Sequence, residues 1–443
     1  IVGVLWIQET AAGTPQGRCL SSFCALRLML RRSLVLLVAM AACADSEAPR
    51  INPSDLGVRE VEMESAACSA RAPSAVDTVA VGLSTPWDVA FLRDGGALVT
   101  ERNGDIRWID STGYLAPDPW RQLSVASPEG SEIGLLGIDT GPSGEYVYVS
   151  ATHGGVSENS FGRIVSGIRR RVARAMNPER GHVYTLSVHR FRVEGGSDEV
   201  GHTLAEGIAA GYLHGGGALR VGPDSLLYVT NGDAADHWRA QQSSSLRGKI
   251  LRYTLDGETP PSNPFPTSPV FATGIRHVQG LAWHPETGDL LAIDHGPTGM
   301  ESENGRRDDD ELNIVPAGAN LGWPIVSGHS VGGDLASPLT VWTPALAPAG
   351  LEIYRGPESG WHGNAFVTGL RGTRLIRVEL AVGEEGLRVG CREALLENEY
   401  GRLRLVRQAP DGSLWVGTSN SDGRGIPRPE GDMILRLLPP GRD

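Results

Sequence analysis

The sequence predicts an all-β protein, a six-bladed β-propeller. Three observations carry this. A short apolar strand, a turn close to Pro-Asp-Gly and a second apolar strand recur as one phrase six times. The 443 residues include 58 glycines and 29 prolines, which suits a chain of many tight turns. Long amphipathic helical stretches are scarce. Units that bury their faces only against neighbouring units close into a ring.

The copies follow in order. PWDVAFLRDGGALVTE starts at Pro86, GLLGIDTGPSGEYVYVS at Gly134 and GGALRVGPDSLLYVTNGD at Gly216. QGLAWHPETGDLLAIDHG starts at Gln279, and a looser copy, GLEIYRGPESGWHGNAFVTGL, at Gly350. GRLRLVRQAPDGSLWVGT, from Gly401, is the last. The segment from Gly154 to Ala210 is long for a connection. It reads as the outer strands of one blade, including a strand-like stretch from Val183 to Val193, plus an exposed excursion with the run Arg169-Arg170-Arg171. A second excursion, Thr298 to Arg307, reads as a lid or a tolerated surface loop.

The chain before the repeats is organised differently. Residues 1–28 lack an initial Met, precede a better start at Met29, and read as upstream translation. Met29-Leu-Arg-Arg-Ser and the apolar run from Leu34 form a signal that ends at Cys43, in the pattern of a bacterial lipoprotein. The run is too short to span a bilayer. Residues 29–42 are therefore the expected signal peptide, 43–75 a polar tether and 76–440 the propeller. The expected location is the periplasm, lipid-anchored through Cys43, or secretion if Cys43 is not acylated. In the exported chain Cys68 and Cys391 remain, either as a bridge or as two separate buried thiols. A formal net charge of −12 argues against a nucleic-acid partner.

Residues at strand entries and exits face the central channel, and four constellations there carry chemistry. His214 precedes three glycines at an inner-strand entry, and Asp233 follows at the exit of the paired strand. A hairpin returns its end to its beginning, so the carboxylate can orient the imidazole as a base. Arg276 enters the next blade, where it holds an anion or forms a salt bridge between blades. Gly296-Pro297 and Asp310-Glu311 offer carbonyls and carboxylates to a hard cation. Arg402 and Arg404 stand two apart on a strand and so share a face, with Arg371 in the preceding blade. Forked guanidinium donors in an acidic chain suit a polyanion, or are ordinary surface arginines.

These stretches resemble the glucose/sorbosone dehydrogenase family, over roughly Val79 to Leu438. The most specific are Gly134-Leu-Leu-Gly137, Ser245 to Arg252, Gln279 to Pro285, His295-Gly-Pro297, Gly318 to Pro324, Pro344 to Pro348 and Gly401-Arg-Leu-Arg404. The resemblance implies a six-bladed propeller that binds pyrroloquinoline quinone (PQQ) and Ca²⁺. It implies oxidation of aldose sugars at the C1 hydroxyl to the lactone, by base-assisted hydride transfer to the quinone. By position, His214 matches the catalytic base, Asp233 its partner and Arg276 the arginine beside the reacting carbonyl. Arg371, Arg402 and Arg404 match cofactor-carboxylate positions, and Glu132 a position near the sugar. Gly296 and Pro297 match cation ligands through their carbonyls, and Asp310 and Glu311 a carboxylate pair near cation sites. The implied partners are a small-molecule sugar and an unidentified electron acceptor, with membrane contact only through the lipid.

Four departures stand out. His277 replaces a usual Asn, Ala218 replaces a common Arg, the insertion Thr298 to Arg307 separates Gly-Pro from Asp-Glu, and the stretch Ala-Ala-Asp-His-Trp after Asp233 differs. Two other readings use the same fold. A Ca²⁺-dependent lactone hydrolase would need the cation but not the arginines, and a non-catalytic propeller would keep only a binding surface.

Overall fold

Each recurring phrase forms an antiparallel hairpin that starts a sheet of at least four strands, and there are six such sheets among the described residues. The computed structural model describes residues 59–60, 66–68, 71–154, 184–195, 200–299, 303, 308–331, 333–357 and 359–441, all within the unit Asn52–Asp443. The signal-like segment, Cys43, most of the tether, the Arg169–Arg171 run and most of the Thr298–Arg307 excursion lie outside the described residues.

The first blade is Pro86–Phe91, Ala97–Glu101, Asp105–Ile109 and Arg121–Gln122. The second is Leu135–Thr140, Tyr146–Gly154, Tyr184–Arg192 and His202–Ala210, so the strand-like stretch near Val183 is an outer strand. The third is Leu219–Val221, Leu227–Asn231, Lys249–Tyr253 and Val270–Ala272. The fourth is Val278–Trp283, Leu290–Asp294, Asp310–Ile314 and Thr340–Trp342. The fifth is Pro348–Ile353, Ala365–Gly369, Arg374–Gly383 and Gly386–Leu395, with Ala66–Ala67 added in parallel at its edge. The sixth takes Leu403–Gln408, Leu414–Thr418 and Asp432–Leu438 from the end of the chain and Ala75–Leu83 from its beginning. Cys68, just after Ala66–Ala67, is disulfide-bonded to Cys391 in the fifth blade's outer strand.

The first strand of every blade touches the first strand of the next, and the sixth returns to the first. Each seam holds its own apolar cluster. Leu98 and Ile106 meet Ile138 and Val149 between blades one and two. Leu405 and Ile434 meet Val89 and Val99 between blades six and one. Hydroxyls stitch the seams by donating to buried backbone carbonyls. Thr100 donates to the Leu136 carbonyl (2.6 Å), Thr230 to Val278 (2.9 Å) and Thr368 to Arg404 (2.7 Å), each in the following blade. Inner strands approach so closely that a Cβ on Gly137 would lie 2.6 Å from the Gly217 oxygen. This packing presents the strand entries and exits together at one mouth of the ring.

Candidate functional site

His214 lies in the turn before the third blade's inner strand. Its backbone is left-handed (φ 54°), as are Gly216 (φ 67°) and Gly217 (φ 87°). Gly232, at the exit of the paired strand, permits close approach: a Cβ there would sit 1.9 Å from the His214 carbonyl oxygen. Asp233 Oδ1 consequently lies 2.7 Å from His214 Nδ1. Asp233 also accepts hydrogen bonds from the Ala235 amide (2.8 Å), His237 Nδ1 (2.5 Å) and Trp323 Nε1 (2.8 Å). Burial alone would push this carboxyl up, but His214 and His237 outweigh it and hold Asp233 well below the usual range. An ionised carboxylate only accepts, so Nδ1 of His214 carries a hydrogen and Nε2 of the neutral ring is left to take a proton. Sequence reasoning paired His214 with Asp233 and missed His237 and Trp323.

His277 stacks on His214 at 5.5 Å between ring centroids and meets His295 at 4.9 Å. Burial pushes the His277 ring down to about 3, which keeps it neutral. Glu132 accepts from the His214 amide (2.7 Å) and from Arg424 Nη1 (2.7 Å). Burial would raise its pKa, yet the charge and hydrogen bond of the Arg424 guanidinium hold it well below the usual range.

Arg402 and Arg404 share a face, as their spacing requires. Arg402 Nε and Nη2 lie 3.0 and 2.8 Å from Asp422 Oδ2, and Arg404 Nη2 lies 3.4 Å from the same oxygen. The Arg404 guanidinium sits 3.9 Å over the Trp87 ring, and burial pulls its pKa down to about 10. Arg102 lies within electrostatic reach of Asp422, Arg424 and Glu132. The guanidinium groups of Arg102, Arg402, Arg404 and Arg424 thus gather around the carboxylates of Asp422 and Glu132 and outnumber them.

Two chains of contacts join the histidine to the arginines. One runs from the His214 amide through Glu132 to Arg424, whose own amide donates to Asp422 Oδ1 (2.9 Å). The other runs from His277 to Gln279 (2.5 Å between Nε2 atoms) and from Gln279 Oε1 to Arg404 Nη1 (3.2 Å). Arg371 makes a different contact. Its side chain is 66% exposed and its ion pair is with Asp308 at 3.8 Å. It lines a cavity of about 960 Å³ beside Arg374 and Arg392.

The proposed cation ligands also divide. Gly296, Pro297 and Glu311 line one small pocket with Asp294 and Arg276. Asp310 does not line it. Its Oδ1 accepts from the Gly296 amide (2.8 Å), and its Oδ2 from the amides of Leu346 (2.6 Å) and Ala347 (2.8 Å). Asp310 therefore ties the Gly296 corner to the Leu346–Ala347 backbone beside that pocket. Glu311 faces Asp294 directly across the ladder. Burial and that neighbour push Glu311 up to about 8, and burial pushes Asp294 up to about 7. Arg276 Nε and Nη2 lie 2.9 and 2.7 Å from Glu303 Oε1, with both side chains buried. Glu303 belongs to the second excursion, so at this residue the excursion turns inward rather than lying on the surface.

Asp422 and Arg424 were readable in principle. They follow the exit of Leu414–Thr418, the place Asp233 holds in the third blade.

Comparisons with known proteins agree with this architecture. Residues 83–435 match the family model described as Glucose / Sorbosone dehydrogenase. The PQQ-bound form of an aldose sugar dehydrogenase from Streptomyces coelicolor is 34% identical, with a TM-score of 0.66 over 83% of this chain and 99% of that one. An uncharacterized protein of Synechocystis sp. is 33% identical over 77% of this chain and 83% of its own length. Aldose sugar dehydrogenase YliI of Escherichia coli is 27% identical over 82% of this chain and 94% of its own.

Proposed function

The chain belongs to the glucose/sorbosone dehydrogenase family, and from that premise we propose that it is a PQQ-dependent enzyme that oxidises aldose sugars at the C1 hydroxyl to the lactone. The observation that carries the reading is the linkage of one mouth: the His214–Asp233 pair at 2.7 Å is joined through Glu132 and Gln279 to the arginines around Asp422.

The donor set fits the cofactor. PQQ bears several carboxylates, and the excess of guanidinium groups at Arg402 and Arg404 would hold them. The carbonyls of Gly296 and Pro297 and the carboxyl of Glu311 are hard oxygen donors suited to Ca²⁺. When bound, PQQ supplies a two-electron acceptor and the cation polarises it. The protein's own residues do the rest. His214 Nε2 takes the proton of the sugar hydroxyl. Asp233 keeps the ring in the required tautomer and stabilises its charged form. Glu132, anchored to the His214 amide, is placed to orient sugar hydroxyls. The Met29–Cys43 pattern supports export and lipid attachment, so Cys43→Ser should release the protein from membranes, and an unchanged membrane fraction would refute the anchor.

The test is reconstitution. Adding PQQ and Ca²⁺ to the purified protein should give cofactor absorption and aldose-dependent dye reduction. Cofactor uptake with no aldose oxidised would replace this reading with the binding-module one. Lactone cleavage without PQQ uptake would favour the hydrolase.

A further inference from the structure

The second blade carries two histidines whose ring nitrogens converge, well apart in function from the site above. His153 lies in Tyr146–Gly154 and His189 in Tyr184–Arg192. Ser187 pairs with Ala151 across this ladder. His153 and His189 each stand two residues beyond that pair, so both share its face and flank Ser187. Their Nε2 atoms are 3.3 Å apart, and Ser187 Oγ lies 2.7 Å from each.

The opposite nitrogens are tied down. His153 Nδ1 is 3.1 Å from the Ser124 carbonyl oxygen, which only accepts, so Nδ1 carries the hydrogen and Nε2 presents a lone pair. His189 Nδ1 is 3.2 Å from Thr203 Oγ1, a hydroxyl able to accept in the same way. In that tautomer two Nε2 lone pairs stand 3.3 Å apart. A carbonyl or hydroxyl behind the ring is the usual outer support of a metal-bound imidazole. Two nitrogens on a tetrahedral ion with bonds of about 2.0–2.1 Å are separated by about 3.3 Å, which is the separation seen.

We propose that His153 and His189 bind a borderline transition-metal ion, Zn²⁺ fitting best, through their Nε2 atoms, with water completing the shell and the Ser187 hydroxyl, which donates to the Ala151 carbonyl, turned aside. Imidazole pairs suit Zn²⁺, Cu²⁺ or Ni²⁺ and not the oxygen-seeking Ca²⁺, so this site is chemically distinct from the cation pocket near Glu311. Both rings are only part-buried, which leaves the ion a path from solvent. The ion would fasten the two middle strands of the blade to each other.

The experiment uses untagged full-length protein, stripped by chelation and titrated with Zn²⁺, followed by anomalous diffraction at the zinc edge. The expected result is one ion between His153 and His189. His153→Gln and His189→Gln should each abolish uptake there, with circular dichroism unchanged. Thr203→Val should weaken binding about 10–100-fold. The cluster of His214, Asp233 and His237 also has ligand spacing, so the position of the anomalous peak decides. A peak only there, uptake unchanged in the His153→Gln/His189→Gln double variant, or no uptake at all would overturn the proposal. In each case the pair would be a hydrogen-bonded cluster closed by protons.

Discussion

Glu303 sets its Oε1 2.7 Å from Nη2 and 2.9 Å from Nε of Arg276, and both side chains are excluded from water. The arginine of the fourth blade's entry therefore meets the site with its charge already balanced. Glu303→Ala should strand a buried guanidinium and lower folding stability by about 3–5 kcal/mol. A urea midpoint equal to that of the unsubstituted protein would contradict this pairing.

His214→Ala should reduce aldose oxidation by about 10²- to 10⁴-fold and leave PQQ bound, because the arginines lie on other blades. Asp233→Asn should give a loss of similar size: Trp323 Nε1 needs the amide oxygen, so the NH2 turns toward His214, cannot accept the Nδ1 hydrogen, and Nε2 ceases to be the free base. The check is steady-state kinetics together with a cofactor titration. Normal turnover in either loaded variant would remove the pair from the mechanism.

Arg404→Ala should weaken PQQ binding roughly ten- to a hundred-fold, on about 1.5–3 kcal/mol per charge-assisted contact. Arg371→Ala should do less, because that side chain is two-thirds in solvent and faces Asp308. Titrations that rank the two variants the other way would restore Arg371 to the clamp and require its side chain to swing.

Glu311, pushed up to about 8, and Asp294, pushed up to about 7, hold protons in the folded apoprotein that the unfolded chain has already lost. Their contribution to stability is complete below the unfolded carboxyl range. It is lost as pH rises through about 7 and 8. Glu311→Gln should remove its share, so the variant gains on the parent protein by a few kcal/mol between about pH 5 and pH 8, at about 1.4 kcal/mol per unit. Parallel stability curves for the two proteins would show that Glu311 titrates normally.

The hairpins are legible in the sequence because each turn carries its own Pro, Asp and Gly chemistry between apolar strands. The His214–Asp233 meeting is legible because a hairpin brings its two ends together. The same rule applied to the sixth blade leads to Asp422 and Arg424. Other features have no local signal. Thr100, Thr230 and Thr368 are single hydroxyls inside apolar strands, and only the neighbouring blade gives them a carbonyl to bind. Glu303 sits among other charges, and nothing in that run says which one turns inward. Asp310 and Glu311 are adjacent acids that strand alternation sends to opposite sides, one to backbone amides and one to the pocket.

Closure of the ring also sets an order in time. Ala75–Leu83 is synthesised early, and its partner Asp432–Leu438 follows roughly 350 residues later. At about 5–20 residues per second the ribosome takes tens of seconds to deliver that partner. Throughout this interval the early strand presents an unpaired edge that a neighbouring nascent chain could occupy. A chain cut short before Asp432 never supplies the partner, so truncation at the far end is felt first by the strand made at the start.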